Sequence, residues 1–591
     1  MKKLLRATAF LLVTTSVLTS SVLVAPAFAD PATDAKFQSI YKTEWDWRQK
    51  TEAANEDTPS GDVAAHLPDV SKKAQDAKLA YWRDVLKQLD GVDVKALSPR
   101  EAENYQVYRF QIETLIKSQV YKIYERPLSG DTSFWGDLAG MARGTFRTEA
   151  DYRNYISQLN DMPRYFKDNS DNMRAGLKRG FTLPQISLQG RDATITSVLD
   201  AKSVEDNIYY QPFKDMPVTI PAAKQAELRK LAAEAITSKV LPAHRDLLKF
   251  IRDEYIPGAA KSIAAYDLPD GKAFYQAQVH EYATVDMTPE QIHQIGLDEV
   301  AKIKAEMMAI KQEVGFKGDL PAFNNFLRTD PQFYVTKPQD LLDRAAWTAK
   351  EFDGKAAQYF GRMPRSRFAI IPVAPELAPF YTGGRGGPGG YWVNTYNLPA
   401  RPLYSLAALT LHESAPGHAW QMPLASENKS LPPFRQYTYI SAYGEGWALY
   451  SERLGVEMGM YHTPYERYGM LSYQMWRACR LVVDTGIHAK GWTREQAQNY
   501  LLENTALSKH EVTTEVDRYI AWPGQALSYY LGEMAIWKAR HKAEAALGEK
   551  FDIRQFHDAV LELGSVPLPV LEARIDRFIA DGGKGPYADE E

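Results

Sequence analysis

The sequence predicts a mainly α-helical protein with one small β-sheet next to a helix that carries a His-Glu pair. Three observations carry that prediction. From about Ala35 to Arg365, apolar residues recur at the three- and four-residue spacing of amphipathic helices. Near Ser366 the texture changes: a β-prone run, Phe368 to Val373, leads to the glycine-rich stretch Gly383 to Gly390 and then to "YWVNTYNL", which reads as a strand. After Pro402, "LYSLAALTLHES" is rich in the strong helix formers Leu and Ala and ends on His412-Glu413. Two lobes of one continuous fold are expected: residues 30–365, mainly helical, and residues 366–591, with the short strands and the His-Glu helix.

In chain order, "MKKLLRATAFLLVTTSVLTSSVLVAPAFAD" comes first. Lys2, Lys3 and Arg6 precede an apolar run that ends at Ala27-Phe28-Ala29. That is the pattern of a signal peptide spanning 1–29 and cut before Asp30; the competing reading is a membrane anchor. No cysteine stands at the cut to take a lipid, and no later segment is apolar enough to span a bilayer. A protein exported to the periplasm or beyond, and free of the membrane after cleavage, is expected. Disorder is expected only in "DPATDAKFQ" and in the tail "GGKGPYADEE".

The 591 residues are 45% hydrophobic and 24% charged, enough to bury a large core. The 70 Lys and Arg nearly balance the 74 Asp and Glu, giving a net charge of −4. That balance argues against nucleic acid or an acidic membrane surface as partner. Cys479, alone in the chain, allows no intramolecular disulfide. Its apolar setting "MWRACRLVV" reads as that of a buried structural thiol.

"TPEQIHQIGLDEVAKIKAEMMAIKQEVG" specifies its helix in full. Thr288 caps it, Pro289 suits the first turn and Gln291 completes a capping box. Ile292, Ile295, Val300, Ile303 and Met307 form the apolar stripe, and Gly315 is the stop signal. The glycine run Gly383 to Gly390 is either a surface loop or a place where a backbone or ligand comes close. It lacks the Lys-Ser/Thr of a phosphate-binding loop.

His412 and Glu413 would supply a metal ligand and a general base if a metal sat beside their helix. The usual second histidine would stand four residues on; Pro416 is there instead, and His418 follows two residues later. On an unbroken helix His418 would point roughly 240° away from His412. Pro416 removes a helical hydrogen bond and Gly417 tolerates irregular backbone, so the pair is expected to kink or bulge the helix and re-aim His418. Glu445, between Gly444 and Gly446, is the third candidate ligand, on a return helix 27 residues downstream. Glu452, two turns on along the same face, is either a partner that orients a ligating imidazole or a surface charge. The other His-Glu pair, His280-Glu281, has no partner histidine one turn on and reads as unrelated.

"HESAPGHAWQ", "GEGWALYSERLG", "WRACRLVVDTGIHAKGWT" and "EVDRYIAWPGQALSYYLGEMAIWKAR" together resemble the bacterial domain of unknown function 885 family, most strongly over 366–570. That family is grouped with the gluzincin-type zinc peptidases, among them thimet oligopeptidase, angiotensin-converting enzyme and carboxypeptidase Taq. The resemblance implies a large helical metallopeptidase-like fold with a long cleft. It implies one Zn2+ ion on His412, His418 and Glu445, with Glu413 as base. His418 is the one candidate within its motif, because Ala419 stands where many members have a further histidine. It also implies an oxyanion donor from the distal motif: Tyr529 first, then Tyr530 and Tyr519. Arg518 and His488 are candidate substrate-binding residues. The expected activity is hydrolysis of short peptides. The alternatives are an exported peptide-binding protein with a degenerate metal site, or a zinc hydrolase of non-peptide amides or esters.

Overall fold

The computed structural model describes residues 30–52, 63–129, 132–375 and 378–587. The expected signal segment, 1–29, lies outside the described residues. What is described is mainly helical, with one three-stranded sheet.

The first helix, α1 (Pro31–Thr51), occupies the segment expected to be disordered. Asp30 caps it by accepting from the Ala32 N–H at 3.1 Å, Pro31 fills a first-turn position that needs no N–H, and Phe37 and Ile40 are buried. Helices α2 (Pro99–Val120) and α3 (Gly271–Ala283) follow, then α4 (Pro289–Glu313). In α4 Thr288 and Gln291 form the expected capping box and Ile292, Val300, Ile303 and Met307 are buried. Gly315, in the left-handed conformation at φ +70°, lies just past the helix end.

Strands β1 (Ala369–Pro372), β2 (Gly384–Gly387) and β3 (Gly390–Val393) form a sheet of order β1-β3-β2, with β3 parallel to β1 and antiparallel to β2. The glycine run is therefore an edge strand and not a surface loop. A Cβ on Gly386 would lie 1.7 Å from the carbonyl oxygen of Glu413, so only glycine lets the strand lie against the His-Glu helix.

That helix is α5 (Leu403–Glu413). After it come α6 (His418–Glu427), α7 (Ser441–Glu457), α8 (Pro464–Lys490), α9 (Lys509–Ala521) and α10 (Ser528–Leu547). Helices α7 and α10 meet at glycines: a Cβ on Gly446 would lie 2.5 Å from the Gly532 carbonyl carbon. Two large cores each draw on both sides of Arg365. One joins Phe274, Ile303 and Met307 to Leu449, Met475 and Tyr529. The other joins Phe37, Trp82 and Tyr108 to Trp447, Leu454 and Phe556. Cys479 is fully buried, and burial pushes its thiol far above the ordinary range, as befits an inert structural residue. No helix among the described residues is long and apolar enough to cross a membrane.

Candidate metal centre

Four elements bring the site together: α5 ends on His412 and Glu413, α6 begins on His418, α7 carries Glu445 and Glu452, and β2 lies against Glu413. The chain does not kink or bulge between the two histidines; it stops one helix and starts another. Pro416 cannot donate to the carbonyl that an unbroken helix would offer it, and Ser414 leaves helical geometry at ψ −113°. The Gly417 N–H then bonds back to the Leu411 carbonyl at 3.0 Å, and Trp447 Nε1 donates to the Pro416 carbonyl at 2.8 Å. Gly417 is needed for room: a Cβ there would lie 1.8 Å from the His412 carbonyl oxygen.

The break brings the rings of His412 and His418 to 5.0 Å, at 89° to each other. Oε2 of Glu445 lies 3.2 Å from His418 Nε2 and 3.5 Å from His412 Nε2. One ligand atom from each residue falls within 4.8 Å of the other two. Ligands around a tetrahedral zinc, with bonds near 2.0–2.1 Å, sit about 3.3 Å apart. The two nitrogen-to-oxygen separations are of that size, and two imidazoles with one carboxylate are a donor set that suits zinc. Glu452 is buried, and its Oε1 accepts from His412 Nδ1 at 2.8 Å, which leaves Nε2 for a metal. Arg477 in turn lies 3.3 Å from that oxygen. His418 Nδ1 is buried and has no hydrogen-bond partner among the described residues, so its ring orientation is set by packing.

The charges are coupled. Burial works against a charged His412, but Glu413, Glu445 and Glu452 outweigh it and push its pKa up to about 9. Burial also works against a charged Glu445, and the two histidines overcome it and hold the carboxyl well below the usual range. Such a cluster is a strong anion-and-imidazole cage that a divalent cation would satisfy in full. Glu413 is almost buried and its Oε2 accepts from the Gly386 N–H at 2.6 Å. The edge strand thus aims the candidate base.

Tyr529 lies over His412, ring centres 6.3 Å apart and nearly parallel. Its hydroxyl accepts from Arg518 at 3.0 Å, which leaves its own proton to donate. Arg518 also donates to Gln525 at 2.8 Å, so its guanidinium is occupied in holding Tyr529. Tyr519 is not at the metal group: its buried hydroxyl accepts from Trp476 and Arg480, each at 2.8 Å. Tyr530 turns toward Glu299 on α4, to which it donates at 3.0 Å. His488 is fully buried, its Nδ1 accepting from the Ala265 N–H at 3.2 Å and its Nε2 facing the Tyr519 carbonyl at 2.9 Å. With both nitrogens spent on backbone, it has none left for a substrate. His280 pairs with Asp286 at 3.1 Å, apart from the site.

Tyr439 went unread in the sequence. Its hydroxyl faces Glu445, and burial, then that carboxylate, hold it well above the usual tyrosine range. Its ring fills the space over Gly444, where a Cβ would lie 2.4 Å away. The nearest sequence signal is the aromatic cluster "QYTYISAY", which runs into the start of α7 and carries no metal-ligand spacing.

Fold and site together define a helical protein built around a buried His-His-Glu group of metal-ligating type. The chain belongs to the family described as bacterial protein of unknown function (DUF885), whose profile matches residues 55–575. Among solved structures it is similar to a candidate lipoprotein from Colwellia psychrerythraea, 27% identical, with TM-score 0.85 over 93% of this chain and 99% of that one. It also shares its fold with a candidate lipoprotein of unknown function from Shewanella oneidensis, 16% identical, with TM-score 0.64 over 92% and 99%. No curated protein matches it.

Proposed function

We propose that this protein is an exported zinc metallopeptidase of the gluzincin type that hydrolyses short peptides. The observation that carries the reading is the convergence of His412, His418 and Glu445 to within 4.8 Å of one another, with Glu445 Oε2 3.2 and 3.5 Å from the two Nε2 atoms and Glu413 next to His412 in the chain. Export is supported by the description of the Colwellia psychrerythraea structure as a candidate lipoprotein.

His412, His418 and Glu445 would hold the ion, which when bound acidifies water and polarises a carbonyl. Glu413, fixed by the Gly386 N–H, takes a proton from the attacking water and returns it to the leaving amine. Tyr529, its hydroxyl accepting from Arg518, donates to the oxyanion, while Tyr439 spends its one proton on Glu445 and steadies that carboxylate. Glu452 keeps His412 in the tautomer that presents Nε2.

The test is to purify the protein from Asp30 onward, measure bound metal, and assay a peptide library with and without chelator. Glu413→Gln should keep its metal and lose about 10²–10⁴-fold in turnover. Full turnover by that variant, or hydrolysis indifferent to chelator, would overturn the reading. Turnover of amide or ester substrates with no peptide cleaved would redirect it to non-peptide hydrolysis.

A further inference from the structure

Arg126 differs from the buried arginines Arg401, Arg435, Arg477, Arg480 and Arg540, each of which pairs with a carboxylate. It follows the short turn Ile123–Glu125, just past α2, and is only 8% exposed. Its surroundings are rings: the guanidinium carbon lies 5.2 Å from the centre of Phe181 and 5.8 Å from that of Phe274. The side chain makes no hydrogen bond or ion pair with a described residue. Burial presses its pKa down, and only the hydroxyls of Tyr255 and Tyr282 act against that; no carboxylate contributes. The contrast with Arg179 is direct. Arg179 packs on the same Phe181 ring at 4.5 Å, yet it pairs with Glu125 at 2.7 Å. A buried guanidinium without a counter-charge is costly to hold, unless an anion arrives to complete it.

Side-chain contacts lead from the metal group as far as Tyr282, whose hydroxyl acts on Arg126 electrostatically. Tyr529 lies over His412, and Arg518 donates to Tyr529. The Arg518 guanidinium lies 5.9 Å from the Trp522 ring, and Trp522 Nε1 donates to Tyr282 at 2.6 Å. Tyr282 is one of the two hydroxyls that Arg126 feels. Three arginines on the metal side of that path each have a partner: Arg477 with Glu452, Arg480 with Glu515, and Arg518 with Gln525 and Tyr529.

We propose that Arg126 binds a carboxylate of the substrate, either the free C-terminus of a peptide or an Asp or Glu side chain, while the scissile bond lies at the metal group. The planar fork of the guanidinium matches a carboxylate with two parallel hydrogen bonds, and the Phe181 and Phe274 rings beside it make the setting less polar, which strengthens the pair. That the ligand is a peptide rests on the function proposed above; that it is anionic rests on Arg126 alone.

The test uses Glu413→Gln protein, which can hold a ligand without turnover, and calorimetry with pentapeptides that end in Glu and vary at the three central positions. Three forms of each are compared: free C-terminus, C-terminal amide, and Gln in place of Glu. One of the two neutralised forms should bind about tenfold or more weaker, and which one identifies the source of the carboxylate. Adding Arg126→Gln should erase the difference while leaving the weaker form's affinity unchanged. Arg126→Lys, which keeps the charge without the fork, serves as second variant and should retain part of the preference. The same preference with and without Arg126, or none in either protein, would overturn the inference. Binding with carboxylate preference but no cleavage by the wild type would sink the peptidase reading and keep this one. Cleavage without preference would do the reverse, and no binding at all would overturn both.

Discussion

Glu452 shows how much one side chain can carry without touching a metal. It holds His412 Nδ1 at 2.8 Å from a fully buried position, so Glu452→Gln should cost about 10–100-fold in zinc affinity while the fold stays intact, as read by metal titration and circular dichroism. Tyr529→Phe should leave zinc binding unchanged and lower kcat by about 10²–10³-fold, the usual cost of one oxyanion donor. The sequence made His412, Glu413 and Glu445 legible because motif and spacing mark them. It placed Glu452 by helical phase alone, and the structure chooses between the two roles left open for it. Arg518 and His488 could not be assigned that way. What a buried arginine or histidine does depends on which backbone and side chains close around it, and those partners come from distant segments. Tyr439 and Arg126 carried no spacing signal, since Tyr439 acquires its meaning from the way its loop folds onto Gly444 and Glu445, and Arg126 from rings on other segments and from the absence of a partner.

At the scale of the element, the junction between α5 and α6 is the decisive piece. Gly417→Ala would drive a methyl group into the His412 carbonyl, 1.8 Å away, displacing the ligand helix. The expected result is about 1–3 kcal/mol of lost stability in urea unfolding, with loss of stoichiometric metal. Pro-Gly in the sequence signals a re-aimed His418 but reads as a distortion within one helix, because local propensity does not reveal that Trp447 and Leu411 secure a complete break. The α4 helix was legible in full because its cap, stripe and stop are all local. The glycine strand β2 was not, since its need for glycine comes from contact with α5.

Helix α8 offers a pH test. Asp484 on α8 is buried and accepts from Tyr275 of α3 at 2.5 Å; burial pushes its pKa up to about 7. The unfolded value is about 3.9, so the folded state binds the extra proton between these values. The contribution of this group to stability is therefore greatest at low pH, falls as pH rises from about 4 to about 7, and is constant above that. In urea unfolding at pH 4.5, 6 and 8, Asp484→Asn should gain on the wild type as pH rises through the window and then level off. A difference that does not change with pH would contradict the assignment.

At the scale of the whole molecule, helices from both sides of Arg365 share two of the three large cores, so the ligand helices rest on N-terminal ones, and the third core, from Leu67 to Ala259, is tied to the C-terminal side at Ala521. Metal binding should then stabilise the entire chain as one cooperative unit. A ligand at a thousand times its Kd adds about 4 kcal/mol, so chelator should lower the Tm of the whole transition and not split it. The mainly helical class was legible because helical periodicity is local and repeated. The way α7 and α10 cross was only hinted at by the glycines around Glu445, since Gly532 is remote in sequence.

The central claim is that three side chains from three helices hold one zinc. Anomalous diffraction at the zinc edge, on crystals of the zinc-loaded protein, tests it most directly. A single peak about 2.0–2.2 Å from His412 Nε2, His418 Nε2 and a Glu445 carboxylate oxygen is the predicted result. A zinc-loaded crystal with no peak there, or with His418 turned away from it, would contradict the claim.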